Sequence, residues 1–361
     1  MGSAAEEQVR LATSSNDIQV PGALGPDGRW LVHAEEPEVT TLSGHSPHAR
    51  RPGRLDQRRT HEYPQVVATA PGTRPVPLTA LFPRLGSRAE AAALRLDAEQ
   101  VRSFETNGFV AGIRLLGGAA LEAVRDAVET IRGGDSPHAD LLYEVEEDYY
   151  RDPERNAFHC LGGWLVEPAL HDLVFHPAAT VPAAQLLGVE RLRFWHDQVF
   201  YKPPRHPGVV AWHQDFSYWT RTLPMNHVTI NVVLDDTSLE NGCLHYVPGS
   251  HRWPLLAPVS FGQDMESFRD LLPAELRERF RPVPVPLRAG EASFHHPLTV
   301  HGSHENRTSR PRRAAVLNYM GPDTRSAEGR IPLLKGTPVV ARGDVIEGEH
   351  FPIVLDLGAL P

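Results

Sequence analysis

The spacing of His213 and Asp215, two positions apart, constrains this chain more than any other feature. They lie in Val210-Ala-Trp-His-Gln-Asp-Phe216, at the centre of a stretch from Arg193 to Arg221. Trp195, Val199, Phe200 and Tyr201 precede the pair, and Phe216, Tyr218 and Trp219 follow it. Aromatic and β-branched residues of this kind suit a pleated surface. On a strand, residues i and i+2 share one face, so the spacing predicts an imidazole and a carboxylate aimed at one point. One neutral nitrogen and one anionic oxygen are two members of the 2-His-1-carboxylate set that binds non-haem Fe(II). The set needs a second His, and the chain offers His301.

The pair is not unique in a chain with 19 His. His138-Ala-Asp140 repeats the pattern, but it follows Gly133-Gly-Asp-Ser-Pro137, which reads as a turn or helix cap at the surface. His245, His251, His295, His296 and His304 read as satisfied core or surface histidines.

Composition narrows the class. A chain of 361 residues holds one large domain with an extension, or two modest ones. Lys and Arg total 36 against 45 Asp and Glu, a net charge of -9, which argues against a nucleic-acid partner. Cys160 and Cys243 alone make neither a disulfide framework nor a structural zinc site. No apolar run approaches the roughly 18 residues of a membrane span. The first residues, Met1 to Glu7, lack a basic and then apolar secretory leader. A cytoplasmic protein is therefore expected.

Residues 1–93 read as a Pro/Gly/Arg-rich N-terminal extension, partly loop, with Ser43 to Arg54 as linker. The apolar runs 65–68 and 75–82 are candidates to pack on the main body. Residues 94–361 read as the principal domain. Asp97 caps a helix, Gln100 completes a capping box, and Asn107-Gly108 ends it. Leu121 to Ile131 has helical spacing. The acidic and aromatic run Tyr143 to Pro153 reads as a solvated loop, with a lid over a pocket as the alternative. Glu167 to Leu187 reads as two short helical pieces broken at Pro177 and Pro182. From Arg191 the texture changes to short strands between turn signals, with one helical insertion over Phe261 to Phe280. The fold class expected is mainly β with flanking helices, a double-stranded β-helix (a cupin-like jelly roll).

Several blocks, in order, resemble the phytanoyl-CoA dioxygenase-like Fe(II)/2-oxoglutarate oxygenases. They are Leu96-Asp-Ala-Glu-Gln with Gly108-Phe109, then Trp212-His-Gln-Asp-Phe216, then Asn241-Gly-Cys-Leu with Pro248-Gly-Ser-His251, and finally Val300-His-Gly-Ser-His-Glu-Asn-Arg307 with Arg312. The resemblance spans Leu94 to the C-terminus. It implies His213, Asp215 and His301 as ligands of Fe(II), with 2-oxoglutarate and O2 filling the remaining positions. It also implies Arg312 as the cation for the far carboxylate of 2-oxoglutarate, since Arg offers a bidentate fork. Arg310 and Arg313 are rivals. Ser303, Thr229, Asn231 and, more weakly, Gln198 are candidates to line the cosubstrate pocket. The family carries an upstream Lys that contacts 2-oxoglutarate. Asn156-Ala-Phe-His-Cys-Leu161 has none, and His159 is the candidate substitute.

The expected activity is hydroxylation of an unactivated C–H bond in a small molecule, with succinate and CO2 as coproducts. A cupin-type metal isomerase or dioxygenase that ignores 2-oxoglutarate, or a non-catalytic binding barrel, are the alternatives. Phe216, Tyr218, Trp219 and the carboxylates of Glu144 to Asp148 suggest a neutral or cationic substrate with an apolar skeleton. Oligomeric state has no signal in the sequence.

Overall fold

The computed structural model describes residues 22–24, 30–32, 76–136, 138–145, 149–152, 156–259, 265 and 267–361. The linker expected over 43–54, the run 65–68 and the acidic residues 146–148 lie outside the described residues. The chain divides into two compact units, 1–65 and 66–361. In the first, β1 (Gly22–Leu24) pairs antiparallel with β2 (Trp30–Val32).

The second unit opens with residues 76–87 packed on its own body. Asp172 accepts hydrogen bonds from the backbone N–H of Leu78 and Thr79 at 2.6 and 3.0 Å, and Phe82 stacks on His176. Helix α1 (Arg88–Ala93) follows, and then α2 (Ala98–Asn107), which carries the expected Asp97/Gln100 capping box. Gly108 ends α2 at φ +83°, and a Cβ there would fall 2.5 Å from both His251 and Thr299. Only glycine fits, and its carbonyl accepts from Thr299 Oγ1 at 2.8 Å, two residues before His301.

Strand β3 (Phe109–Arg114) leads to α3 (Gly118–Gly133), which buries Leu121, Val124, Val128 and Ile131 along one stripe. Beyond β4 (Phe158–Leu161) come α4 (Gly163–Val166), α5 (Pro168–Val174) and α6 (Pro177–Leu187). Pro182 does not break α6, contrary to expectation. One lost backbone bond is outweighed by burial of Ala179, Val181, Ala183 and Ala184 against the sheet.

The strands that follow are β5 (Arg191–Lys202), β6 (Val210–His213), β7 (Thr222–Leu223), β8 (His227–Val233) and β9 (Leu244–Tyr246). The expected single helix over 261–280 is two short pieces, α7 (Ser267–Leu271) and α8 (Ala274–Arg279), parted at Pro273. Strands β10 (Val283–Val285), β11 (Glu291–His295), β12 (His301–Ser303), β13 (Arg312–Met320), β14 (Arg325–Ser326) and β15 (Ile353–Asp356) complete the chain.

Two antiparallel sheets make the jelly roll. The larger runs β15-β5-β13-β8-β11-β3, with β4 also on β5; the smaller runs β10-β9-β12-β6. Strand β8 is buried at every position, as a central strand covered on both faces must be. Helix α6 packs on β5, β8 and β15. Trp212, Val247, Trp253, Phe268 and Phe280 form a separate cluster beside the small sheet. No described helix is long and apolar enough to cross a membrane.

Candidate active site

The small sheet brings the two histidines together. In the antiparallel register of β12 on β6, His301 stands opposite His213, and their ring centroids are 4.2 Å apart. Asp215 is not on a strand, as the spacing had suggested. Strand β6 ends at His213, and Asp215 opens a 3-10 turn through Tyr218. The intervening Gln214 stays extended (φ -112°, ψ 129°), so the side chains at 213 and 215 still share a face. Gln214 points the other way, donating to Leu298 O at 3.0 Å and accepting from Leu256 N–H at 2.8 Å. That stitch holds the turn in place.

His213, Asp215 and His301 place one ligand atom each within 4.8 Å of one another, all buried. His213 Nδ1 lies 2.8 Å from Ala211 O, and His301 Nδ1 lies 2.9 Å from Thr299 O. Each Nδ1 must carry the proton to bond a carbonyl, which leaves each Nε2 a bare lone pair toward Asp215 Oδ1, at 3.3 and 3.6 Å. Two neutral imidazoles and a carboxylate with open space beside them suit a hard-to-borderline divalent ion such as Fe(II). Burial alone would raise the Asp215 carboxyl. Protonated rings at His301, His213 and His295 would outweigh it and hold the group well below the usual carboxylate range, a role that a bound cation takes over when the rings are neutral.

The large sheet supplies a polar floor. Its register aligns His196, Asn318, Thr229 and His295 in one row across β5, β13, β8 and β11. Thr229 Oγ1 donates to Asp215 Oδ2 at 2.7 Å, and His295 Nε2 lies 3.0 Å from the same oxygen. Tyr246 OH in turn lies 3.1 Å from His295 Nδ1. His295 is thus the satisfied core histidine expected, but it is satisfied by the iron-type carboxylate itself. Neither it nor Tyr246 nor Asn318 was marked by any motif, because cross-strand register is invisible until the sheet forms.

One cavity of about 250 Å³ holds the triad, Arg312, Ser303, Thr229, Asn231 and Gln198. Arg312 and Val316 line the cavity from one face of β13, the face that Asn318 shares by strand alternation. Arg312 is 2% exposed, and its Nε and Nη2 have no hydrogen-bond partner among the described residues. Arg313 points to the opposite face, held by Asp235 at 2.7 Å and Glu129 at 3.0 Å. Arg310 is exposed and lies outside the cavity. Ser303 spends its proton on Gly242 O at 2.8 Å and accepts from Lys202 Nζ at 2.8 Å. Lys202, across the register from Arg312, went unremarked in the sequence, and its ammonium also donates to His304 O at 2.5 Å. Gln198 Oε1 lies 3.4 Å from His159 Nε2. Burial pushes the His159 imidazole down to about 4, so it is a neutral ring and no substitute for a lysine cation.

At the mouth the walls turn aromatic. The β5–β13 register skips Trp195, a bulge that puts two consecutive residues, Trp195 and His196, on the cavity face. Tyr218, Trp219, Leu333 and Leu334 complete the wall. Arg221 donates to Pro332 O and Leu333 O at 2.9 and 2.8 Å, tying the C-terminal segment across the opening. Glu144, with φ +60°, is a described carboxylate at this rim. His138 and Asp140 are exposed and away from the cavity. His304 faces His245 and Trp212, and His296 faces His251.

Residues 104–314, more than half of the chain, match the family model described as phytanoyl-CoA dioxygenase (PhyH). The mouse phytanoyl-CoA dioxygenase domain-containing protein 1 is 30% identical over 188 residues, 46% of this chain and 63% of that protein. Its bovine counterpart is 27% identical over 266 residues, 62% of this chain and 90% of that protein. The crystal structure of SnoK, a non-heme alpha ketoglutarate dependent carbocyclase from nogalamycin biosynthesis, covers 72% of this chain and 96% of its own, with TM-score 0.57 and 27% identity. The chain belongs to the phytanoyl-CoA dioxygenase family, a class of Fe(II)- and 2-oxoglutarate-dependent oxygenases.

Proposed function

We propose that this chain hydroxylates an unactivated C–H bond of a small molecule with an apolar skeleton, using Fe(II), 2-oxoglutarate and O2 and releasing succinate and CO2. Bound together at the triad, these groups supply the oxidising chemistry. His213, Asp215 and His301 hold the metal, and Thr229 and His295 keep the carboxylate oriented. The observation that carries the reading is Arg312, a buried guanidinium facing the same cavity with two nitrogens unpartnered among the described residues. A buried cation without an anion is costly, and the far carboxylate of 2-oxoglutarate would satisfy it. A cupin-type isomerase has no use for such a group. Asn231 and Gln198 would line the cosubstrate, while Ser303 would act through Lys202, buttressing the strand that carries His301.

The aromatic mouth supports an apolar substrate body. Cytoplasmic location belongs to the same reading, resting on two buried free thiols, Cys160 and Cys243. Residues 94–361 are proposed as the oxygenase domain. Anaerobic titration with Fe(II) and 2-oxoglutarate tests the reading. The weak visible charge-transfer band of the chelate should appear in the wild type and fade in Arg312→Ala at the same 2-oxoglutarate concentration. Metal binding with no band at any 2-oxoglutarate concentration would overturn it.

A further inference from the structure

The protons of the polar row can be assigned, and they fix the state of the ring at its far end. Thr229 has one proton and two acceptors in reach, Asp215 Oδ2 at 2.7 Å and the Asn318 amide at 2.9 Å. The anion takes it, because charge-assisted hydrogen bonds are about twice as strong as neutral ones. The Thr229 oxygen then presents lone pairs only, so the amide must meet it with its nitrogen. Asn318 Oδ1 faces Thr229; a half turn of the amide exchanges its two ends and gives the Thr229 oxygen a donor. The amide oxygen then faces His196 Nδ1, 3.3 Å away, where the Asp197 carbonyl also lies at 3.3 Å. Two acceptors against Nδ1 require the proton there. His196 Nε2 is left a bare lone pair.

That nitrogen has no hydrogen-bond partner among the described residues, and His196 lines the cavity although it is 2% exposed. The bulge at Trp195 turns it inward. Trp195 and Trp219 pack against it in T-shaped contacts at 5.7 and 5.4 Å, while Asp215, His159 and His227 lie near enough to act on it electrostatically. The ring is neutral near pH 7, since burial pushes it down to about 4.

We infer that His196 Nε2 accepts a hydrogen bond from a hydroxyl group of the substrate, so that the cavity selects an alcohol or phenol on an apolar ring skeleton. This rests on the oxygenase reading only for the identity of the neighbouring centre. A buried acceptor left unmatched costs more than a matched one gains, so a ligand lacking the hydroxyl is actively disfavoured. Donor-free ketones and methyl ethers put a second lone pair against Nε2.

The test is ligand-detected NMR titration of the full chain loaded with Fe(II) and 2-oxoglutarate under anaerobic conditions. The probes are bicyclic and tricyclic alcohols and phenols, each paired with its ketone, methyl ether and parent hydrocarbon. Alcohols should bind about tenfold more tightly than their ethers, as expected for one hydrogen bond to a buried acceptor. His196→Phe should erase that difference, His196→Gln should keep part of it through its amide oxygen, and the chelate band should move less than twofold in either variant. Equal binding of ethers, preference for ketones, a preference that survives His196→Phe, or no binding by any probe would each overturn the inference. Loss of the alcohol preference only in parallel with the chelate band would mark His196 as structural and overturn it too. If the wild type forms no chelate band, the oxygenase reading fails, while the alcohol-to-ether ratio in metal-free protein still decides the role of His196.

Discussion

The two ends of the cavity are built differently. The inner end stands on paired strands: His301 on β12 and Thr229 and Asn231 on β8 have a ladder on both sides, and Arg312 on β13 is paired with Lys202 of β5. The outer end stands on departures from regularity, namely the bulge at Trp195, the 3-10 turn through Tyr218 and the segment around Leu333. Strands fix positions to within small tolerances, which suits groups that must meet a metal and a dicarboxylate. Bulges and turns vary without disturbing the ladder, which suits a surface that must match one substrate among many. On the proposed reading the chemistry sits mainly on the paired strands, with Asp215 at the start of the turn, and the choice of substrate on the irregular half.

If that division holds, the largest losses come from the three triad residues, two on strands and Asp215 at the start of the turn. His213→Ala, Asp215→Ala and His301→Ala should each lower turnover by about a hundredfold or more and weaken Fe(II) binding, measured by succinate release and metal titration. His138→Ala and Asp140→Ala should change neither. Full activity in His301→Ala together with loss in His296→Ala or His304→Ala would reassign the distal ligand. Next comes Arg312→Ala, which removes a desolvated charge partner worth about 2–5 kcal/mol. It should raise the 2-oxoglutarate requirement by roughly 30-fold or more and leave Fe(II) affinity unchanged, with Arg310→Ala silent. Equal effects at 310 and 312 would remove the distinction between cavity and rim.

His295→Phe removes one of the two partners of Asp215 Oδ2 and leaves the three ligands in place, and should cost about 10- to 100-fold in metal affinity. A smaller effect concerns acid. His159 and His196 are held at about 4, and His227 and His296 at about 3, all by burial first. Their folded values lie below the unfolded 6.5, so their contribution to stability is complete above that pH and is lost as pH falls toward 3–4. Asp197, raised by burial to about 7, opposes them over part of that range. His251 and His301 are lowered by burial too, and Glu144 and Glu167 are raised beside Asp197, so the lowered histidines predominate and Tm should fall by several degrees between pH 7 and pH 5; a flat profile would show that the histidines are not buried as described. Smallest of all, Glu144→Lys at the rim should leave uncoupled 2-oxoglutarate turnover unchanged and raise KM about twofold or less, by the weak coupling of one exposed charge, even for a cationic substrate.

The inner half was also the legible half. His213 and Asp215 are picked out by residue type and spacing, His301 and Arg312 by the family resemblance, and α2 by a capping box that is a purely local arrangement. What escaped was non-local. Asp215 leaves the strand because Gln214 finds partners at Leu298 and Leu256, far along the chain. Pro182 sits inside a helix because the sheet rewards burial of its neighbours. His295 and His196 take their roles from cross-strand register and from one bulged residue, and neither has a signature in a linear pattern.

The bonds from His213 to Ala211 and from His301 to Thr299 have a consequence for how the protein handles its ion. Each ring is fixed by a carbonyl two residues back on its own chain, so the cage is assembled by the barrel and not by what it holds. Metal uptake then adds affinity without adding order, unlike small domains that fold only around zinc. Stripping with a chelator should leave a folded protein with nearly unchanged circular dichroism. Other divalent ions should enter and leave it by simple exchange.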